Sequence, residues 1–192
     1  MKKNHGFTLI ELMVVLMIVA IFMAIAIPSY QQYMRKRDLA VAKQESLRIA
    51  SELERFKSKN FSYKGFDASY FYAYSGDNGN GTVVPKSYYD NGNGTLYLPI
   101  GSTATNAKYI LTLVDGDTHV PLTMAKGADN KETSDSQSVK GLAWAMKVER
   151  IAPKDPQNYD LLLNSKGLHC MTKTANAVAG YTDCGTSDTE TW

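Results

Sequence analysis

Residues 6–27 read Gly-Phe-Thr-Leu-Ile-Glu-Leu-Met-Val-Val-Leu-Met-Ile-Val-Ala-Ile-Phe-Met-Ala-Ile-Ala-Ile. Sixteen consecutive apolar residues run from Leu12 to Ile27, and counted from Phe7 the stretch is twenty-one long, with only Thr8 and Glu11 polar. At about 1.5 Å per residue, a helix over this stretch reaches across a hydrocarbon core about 30 Å thick. An ionised carboxylate inside such a span costs about 2.5–3.5 kcal/mol on insertion scales, and an intramembrane acid marks a functional position by default. Glu11 therefore calls for a compensating group.

Only six residues, Met1 to Gly6, precede the span, with Lys2 and Lys3 among them. That head is too short for an ordinary secretory signal, and no small-residue cleavage site closes the apolar run, which ends at Ile27-Pro28. The run Gly6-Phe7-Thr8-Leu9-Ile10-Glu11, followed at once by the apolar stretch and Pro28, resembles the processing signature of type IV pilins and their type II secretion relatives. The resemblance covers Gly6 to about Phe56 and implies cleavage after Gly6 by a prepilin peptidase, then N-methylation of Phe7. Cutting before the span leaves the apolar helix on the mature chain and frees an ammonium at Phe7, about one helical turn from Glu11. Pairing with its own terminus is open to Glu11. Helix geometry favours the terminus of a neighbouring copy, and the resemblance implies that Glu11 neutralises the adjacent subunit's amine during assembly.

The charges flanking the span give conflicting orientations. Lys2 and Lys3 lie before it and Arg35, Lys36 and Arg37 after it, so a bare count favours placing the long segment inside. Cys170 and Cys184 favour an oxidising periplasm, and leader processing in the cytoplasm agrees with them. The expected localisation is a single-pass inner-membrane protein with a periplasmic C-terminal domain, extracellular once assembled into a pilus. With Lys2 and Lys3 removed, 19 basic side chains balance 19 acidic ones, which excludes a global electrostatic footprint for nucleic acid.

Pro28 is expected to kink or loosen the helix rather than end it. Beyond it Leu39, Ala42, Ser46, Ile49, Ala50, Leu53 and Phe56 recur at helical spacing, with Lys43, Glu45, Arg48, Glu52 and Glu54 assigned to the surface. The spacing predicts one long helix over roughly residues 8 to 58, apolar all round in its first half and striped in its second. The stripe is too short for a coiled coil and suits packing on a sheet. The expected organisation is a leader at 1–6, a transmembrane and assembly helix at 7–28, its amphipathic continuation at 29–58, a variable loop at 59–106, and a sheet with a C-terminal disulfide region at 107–192.

Within that loop Asp77-Asn78-Gly79-Asn80-Gly81-Thr82 recurs as Asp90-Asn91-Gly92-Asn93-Gly94-Thr95. Asn-Gly pairs favour hairpin tips. A calcium loop needs oxygen ligands at alternate positions, where the first copy has Gly79 and Gly81. The run Tyr70-Phe71-Tyr72-Ala73-Tyr74 reads as half-buried strand residues or as an adhesive patch. Strands are expected at Tyr109–Val114 and Thr118–Met124, flanking Asp115-Gly116, with Pro121 demoting the second to an edge. Asp115 and Asp117 are placed in a solvated turn, with a cation site as the sharper reading. Further strands are expected at Leu142–Ile151, Tyr159–Leu163 and Gly167–Met171, the last two paired. The fold class is α+β: a long N-terminal helix packed on an antiparallel sheet of about four strands.

Cys170 and Cys184 enclose thirteen residues. A bridge closing a loop of that size is worth roughly 3 kcal/mol, and a metal site using His169 is the alternative. The pairing resembles the disulfide-bounded C-terminal region of type IV pilins. No phosphate-cradling loop, nucleophile elbow or metal-ligand cluster is present in the sequence, so neither an enzymatic activity nor a cofactor is expected. The resemblance implies a structural subunit, nearest to PilE-type minor pilins, serving pilus assembly, twitching motility, adhesion and DNA uptake. Its implied partners are other pilin subunits, the prepilin peptidase, an inner-membrane assembly platform, and DNA or a host surface. A major pilin is the alternative, with Ala20 standing where major pilins often carry glycine. A type II secretion pseudopilin is a third reading. A DNA receptor acting through Lys57, Lys59 and Lys64 is a fourth, with salt-dependent binding as its signature.

Overall fold

The computed structural model describes residues 8–123, 138–151 and 155–192. The chain divides into two units, residues 1–37 and 38–192. A single helix, α1 (Leu9–Asn60), supplies the described part of the first unit from Leu9 onward and the first element of the second. The helix continues through Pro28, which has no N–H to donate to the Ala24 carbonyl one turn earlier. It ends where Phe61 adopts a left-handed backbone (φ 57°). There the Phe61 N–H reaches the Lys57 carbonyl at 2.7 Å, and the Asn60 side chain donates to the Phe56 carbonyl at 3.0 Å.

In the second unit, seven strands form an antiparallel meander in chain order: β3 (Tyr89–Asp90), β4 (Thr95–Leu98), β5 (Tyr109–Asp115), β6 (Trp144–Arg150), β7 (Asp160–Asn164), β8 (His169–Thr172) and β9 (Thr189–Thr191). A separate two-stranded ribbon pairs β1 (Ala73–Asp77) with β2 (Val83–Ser87). Alternation along the strands sends Tyr109, Leu111 and Leu113, Trp144, Met146 and Val148, and Leu161 and Leu163 into one cluster with Ala42, Ile49 and Leu53 of α1. Leu39, Ala50 and Phe56 pack against that cluster, so the helical stripe read from the sequence is the face that meets the sheet. Leu162, of opposite parity, joins Cys170, Val178 and Cys184 in a second, smaller cluster on the far face. A disulfide joins Cys170 to Cys184 there.

The α+β class and the helix-on-sheet packing agree with expectation; several details differ. The main sheet has seven strands rather than about four. Residues 61–106 contain four strands and a 3-10 turn (Ser69–Tyr72), so much of the expected variable loop is ordered structure. The Asn-Gly repeats do form hairpin tips, the first joining β1 to β2 and the second β3 to β4. The strand expected at Thr118–Met124 does not form over its described residues, 118–123. Its place is taken by a turn that Asp115 winds, accepting the N–H groups of Asp117 and Thr118 on one carboxylate oxygen at 2.9 and 3.0 Å. Met124 lies outside the described residues. The aromatic run is divided: Tyr70, Phe71 and Tyr72 lie in the 3-10 turn, and only Ala73 and Tyr74 enter β1.

Candidate functional site

The first site is the start of α1. Thr8 caps the helix: its hydroxyl accepts the Glu11 N–H at 3.3 Å, and its carbonyl accepts the Leu12 N–H at 3.2 Å. Thr8 and Glu11 thus have the three-residue spacing of a capping box. Glu11 in the first turn also places a negative charge at the positive end of the helix dipole. Its side chain is exposed and has no ion-pair partner among the described residues. Gly6 and Phe7, the expected cleavage and methylation positions, lie outside the described residues. From Leu9 to Ile27 every residue is exposed, and the helix is long and apolar enough to cross a membrane. A contiguous apolar surface of this extent marks a lipid or protein contact.

The second unit holds its helix by polar ties that the sequence pattern does not reveal. Glu45, expected on the surface, is buried (7% exposed) because the Tyr72 hydroxyl donates to it at 2.8 Å and Arg48 pairs with it at 3.5 Å. Burial, then the hydrogen bond to Glu45 and its charge, push the Tyr72 phenol far above its ordinary range. The Arg48 guanidinium lies over the Phe71 and Tyr72 rings at 5.6 and 5.4 Å. Glu54 accepts both the Tyr63 hydroxyl (2.8 Å) and the Trp144 indole N–H (3.0 Å), joining α1 to β6. Desolvation and the Glu54 contact push the Tyr63 phenol up to about 12.

Two further centres fix the turns of this second unit, the head domain (residues 38–192). Arg150 and Asp160 form a buried bidentate pair, with Nε on Oδ1 at 2.9 Å and Nη2 on Oδ2 at 3.1 Å. The remaining guanidinium hydrogens reach the carbonyls of Asp155, Asn158 and Lys173. Asp115 is fully buried rather than solvated. Burial alone would raise its carboxyl, but the N–H groups of Gly141, Asp117 and Thr118 outweigh that and hold it below the usual carboxylate range. With both oxygens engaged, Asp115 ties loops together; Asp117 instead faces Lys140 at 3.8 Å. Among the described residues no group of three or more His, Cys, Asp or Glu side chains is placed to hold a metal ion. Lys57, one of the candidate DNA contacts, lies over the Tyr63 ring at 4.6 Å and donates to its hydroxyl at 3.4 Å.

The prokaryotic N-terminal methylation motif matches residues 1–27. The chain begins with a pilin-type segment. Among curated relatives, prepilin peptidase-dependent protein D of Escherichia coli is 64% identical over 39 residues, covering 20% of this chain and 27% of the relative. A fimbrial protein of Pseudomonas aeruginosa is 48% identical over 54 residues (27% and 35%). Type II secretion system core protein G of the same species is 37% identical over 62 residues (32% and 44%). The chain spans less than half the length of these curated relatives. No solved structure matches it significantly. The similarity to pilins and secretion proteins is therefore carried by about a third of the chain or less, and the pilin-type segment includes both Glu11 and the exposed apolar helix surface.

Proposed function

We propose that this protein is a structural subunit of a type IV pilus, a minor pilin whose mature chain begins at Phe7. The observation that carries the reading is the pilin-type segment itself: the methylation motif ends in an apolar helix with no burial of its own and with Glu11 in its first turn. Such a surface suits lipid before assembly and other helices after it. Glu11 then neutralises the Phe7 amine of a neighbouring subunit, and Pro28 lets the helix adapt as it packs. The prepilin peptidase removes residues 1–6, the helix spans the inner membrane with the head in the periplasm, and an inner-membrane platform extracts the subunit. The role is structural rather than catalytic, in support of pilus assembly, twitching motility, adhesion and DNA uptake.

Removing one partner of a buried ion pair costs about 3–5 kcal/mol. Glu11→Ala is therefore expected to accumulate in the membrane and to be missing from sheared filaments. Normal incorporation of that variant would refute the role of Glu11. The similarity to a type II secretion core protein supports a second reading, a pseudopilin. Abundance of the chain in secretion pseudopili and absence from surface pili would favour it.

A further inference from the structure

We propose that the head carries a binding site for an acidic sugar residue, in a cleft of about 230 Å³ where three turns of the second unit converge. The cleft lies between the turn after β5, the β7–β8 turn and the segment following the 3-10 turn Ala177–Gly180. Its volume suits a single six-membered ring, and its lining mixes an aromatic wall with a few polar groups, as small-molecule sites do.

The wall is built at a conformational cost. His119 and Tyr181 stack with ring centroids 5.0 Å apart and an interplanar angle of 28°. Both hold left-handed backbones, φ 56° and 59°, and neither is glycine. Two such residues, from loops distant in sequence and meeting ring to ring beside one cleft, form the kind of local strain that clusters at binding sites. The Lys147 ammonium lies over the Tyr181 ring at 4.9 Å and is itself paired with Glu149 at 3.0 Å.

The polar groups define the ligand. Asn164 uses its carbonyl oxygen to accept the N–H groups of Lys166 and Leu168, which leaves its amide hydrogens to donate. The Thr182 hydroxyl donates to Asp183, so its oxygen is able to accept. Asp183 also accepts the Gly185 N–H at 2.7 Å. Lys166 has no ion-pair partner among the described residues, while Asp117 is occupied by Lys140. The uncompensated charge lining the cleft is thus one ammonium. A ring with an apolar C–H face meets the exposed His119 ring of that wall, its hydroxyls meet Asn164 and Thr182, and its carboxylate meets Lys166. A hexuronate has these three features together, either free or as a unit of a glycan.

The test is saturation-transfer NMR on the full chain in detergent micelles. Sodium glucuronate is titrated beside neutral glucose, acetate, and a disaccharide ending in glucuronate. Saturable binding of glucuronate is expected, with glucose and acetate at least about tenfold weaker. Lys166→Met, at an exposed position with no ion pair among the described residues, is expected to lose about tenfold in affinity with unchanged thermal unfolding, as is Thr182→Val to a smaller extent. Tighter binding of the disaccharide assigns the site to a glycan and tighter binding of free glucuronate to the sugar acid; both uphold the proposal. Absence of saturable glucuronate binding, equal binding of glucose, or wild-type affinity in Lys166→Met would overturn it.

Discussion

The two Asp-Asn-Gly-Asn-Gly-Thr repeats provide an internal control, because the same six residues stand in two environments. Gly81 and Gly94 occupy equivalent positions and both have positive φ, 75° and 67°. Placing alanine in either left-handed backbone costs about 1–2 kcal/mol. A Cβ at Gly81 meets nothing within 4 Å, so that is the whole expected cost. At Gly94 a Cβ would drive into the Leu113 carbonyl oxygen, part of the backbone of a central strand, while the Gly94 carbonyl accepts the Leu113 N–H at 2.8 Å. Relief requires the tip to move away and lose that hydrogen bond, adding about 1 kcal/mol for the bond and more for the backbone shift. Gly94→Ala is expected to destabilise the head by about 3 kcal/mol or more, against about 1–2 for Gly81→Ala. Denaturant unfolding of the two variants, followed by tryptophan fluorescence, measures the difference. Equal losses in both would refute the claim that the second tip is locked onto β5 while the first is free.

Two other outcomes follow from the buried charges. Arg150→Met leaves the Asp160 carboxyl fully buried and short of its partner, so a loss of about 3–5 kcal/mol is expected by the same unfolding assay; replacing both residues by apolar ones should recover much of it. Asp115 has a folded pKa below its ordinary value of 3.8, so its contribution is present above that value and is lost as pH falls through the lowered one. Asp115→Asn should therefore flatten the acid limb of the stability profile below about pH 4, measured by thermal unfolding across pH.

The parts legible in the sequence are those with a local period. The helix reads clearly because Ala42, Ser46, Ile49 and Leu53 repeat at helical spacing, and β5 to β7 read clearly because their apolar residues alternate. The second Asn-Gly tip and the Cys170–Cys184 bridge follow from chemistry that only a few residue types support. What escaped depends on distant partners. Glu45 looks like a surface residue until Tyr72, 27 positions away, arrives to donate to it. The expected strand after Asp115 fails because one side chain captures the backbone N–H groups a strand would have offered to a neighbour. Thr189–Thr191 has no apolar residue to announce a strand, and it forms by pairing with β8. At the N-terminal segment the sequence is the more informative of the two, since motif, acid and apolar run are contiguous there.

Mass spectrometry of sheared surface filaments from cells expressing this chain tests the proposed role most directly, through the N-terminal peptide. The expected result is a peptide that begins with N-methylated Phe7, present at a small fraction of the most abundant subunit. A chain that retains residues 1–6, or that is confined to the membrane fraction and missing from filaments, would contradict assembly through a processed N-terminus and Glu11.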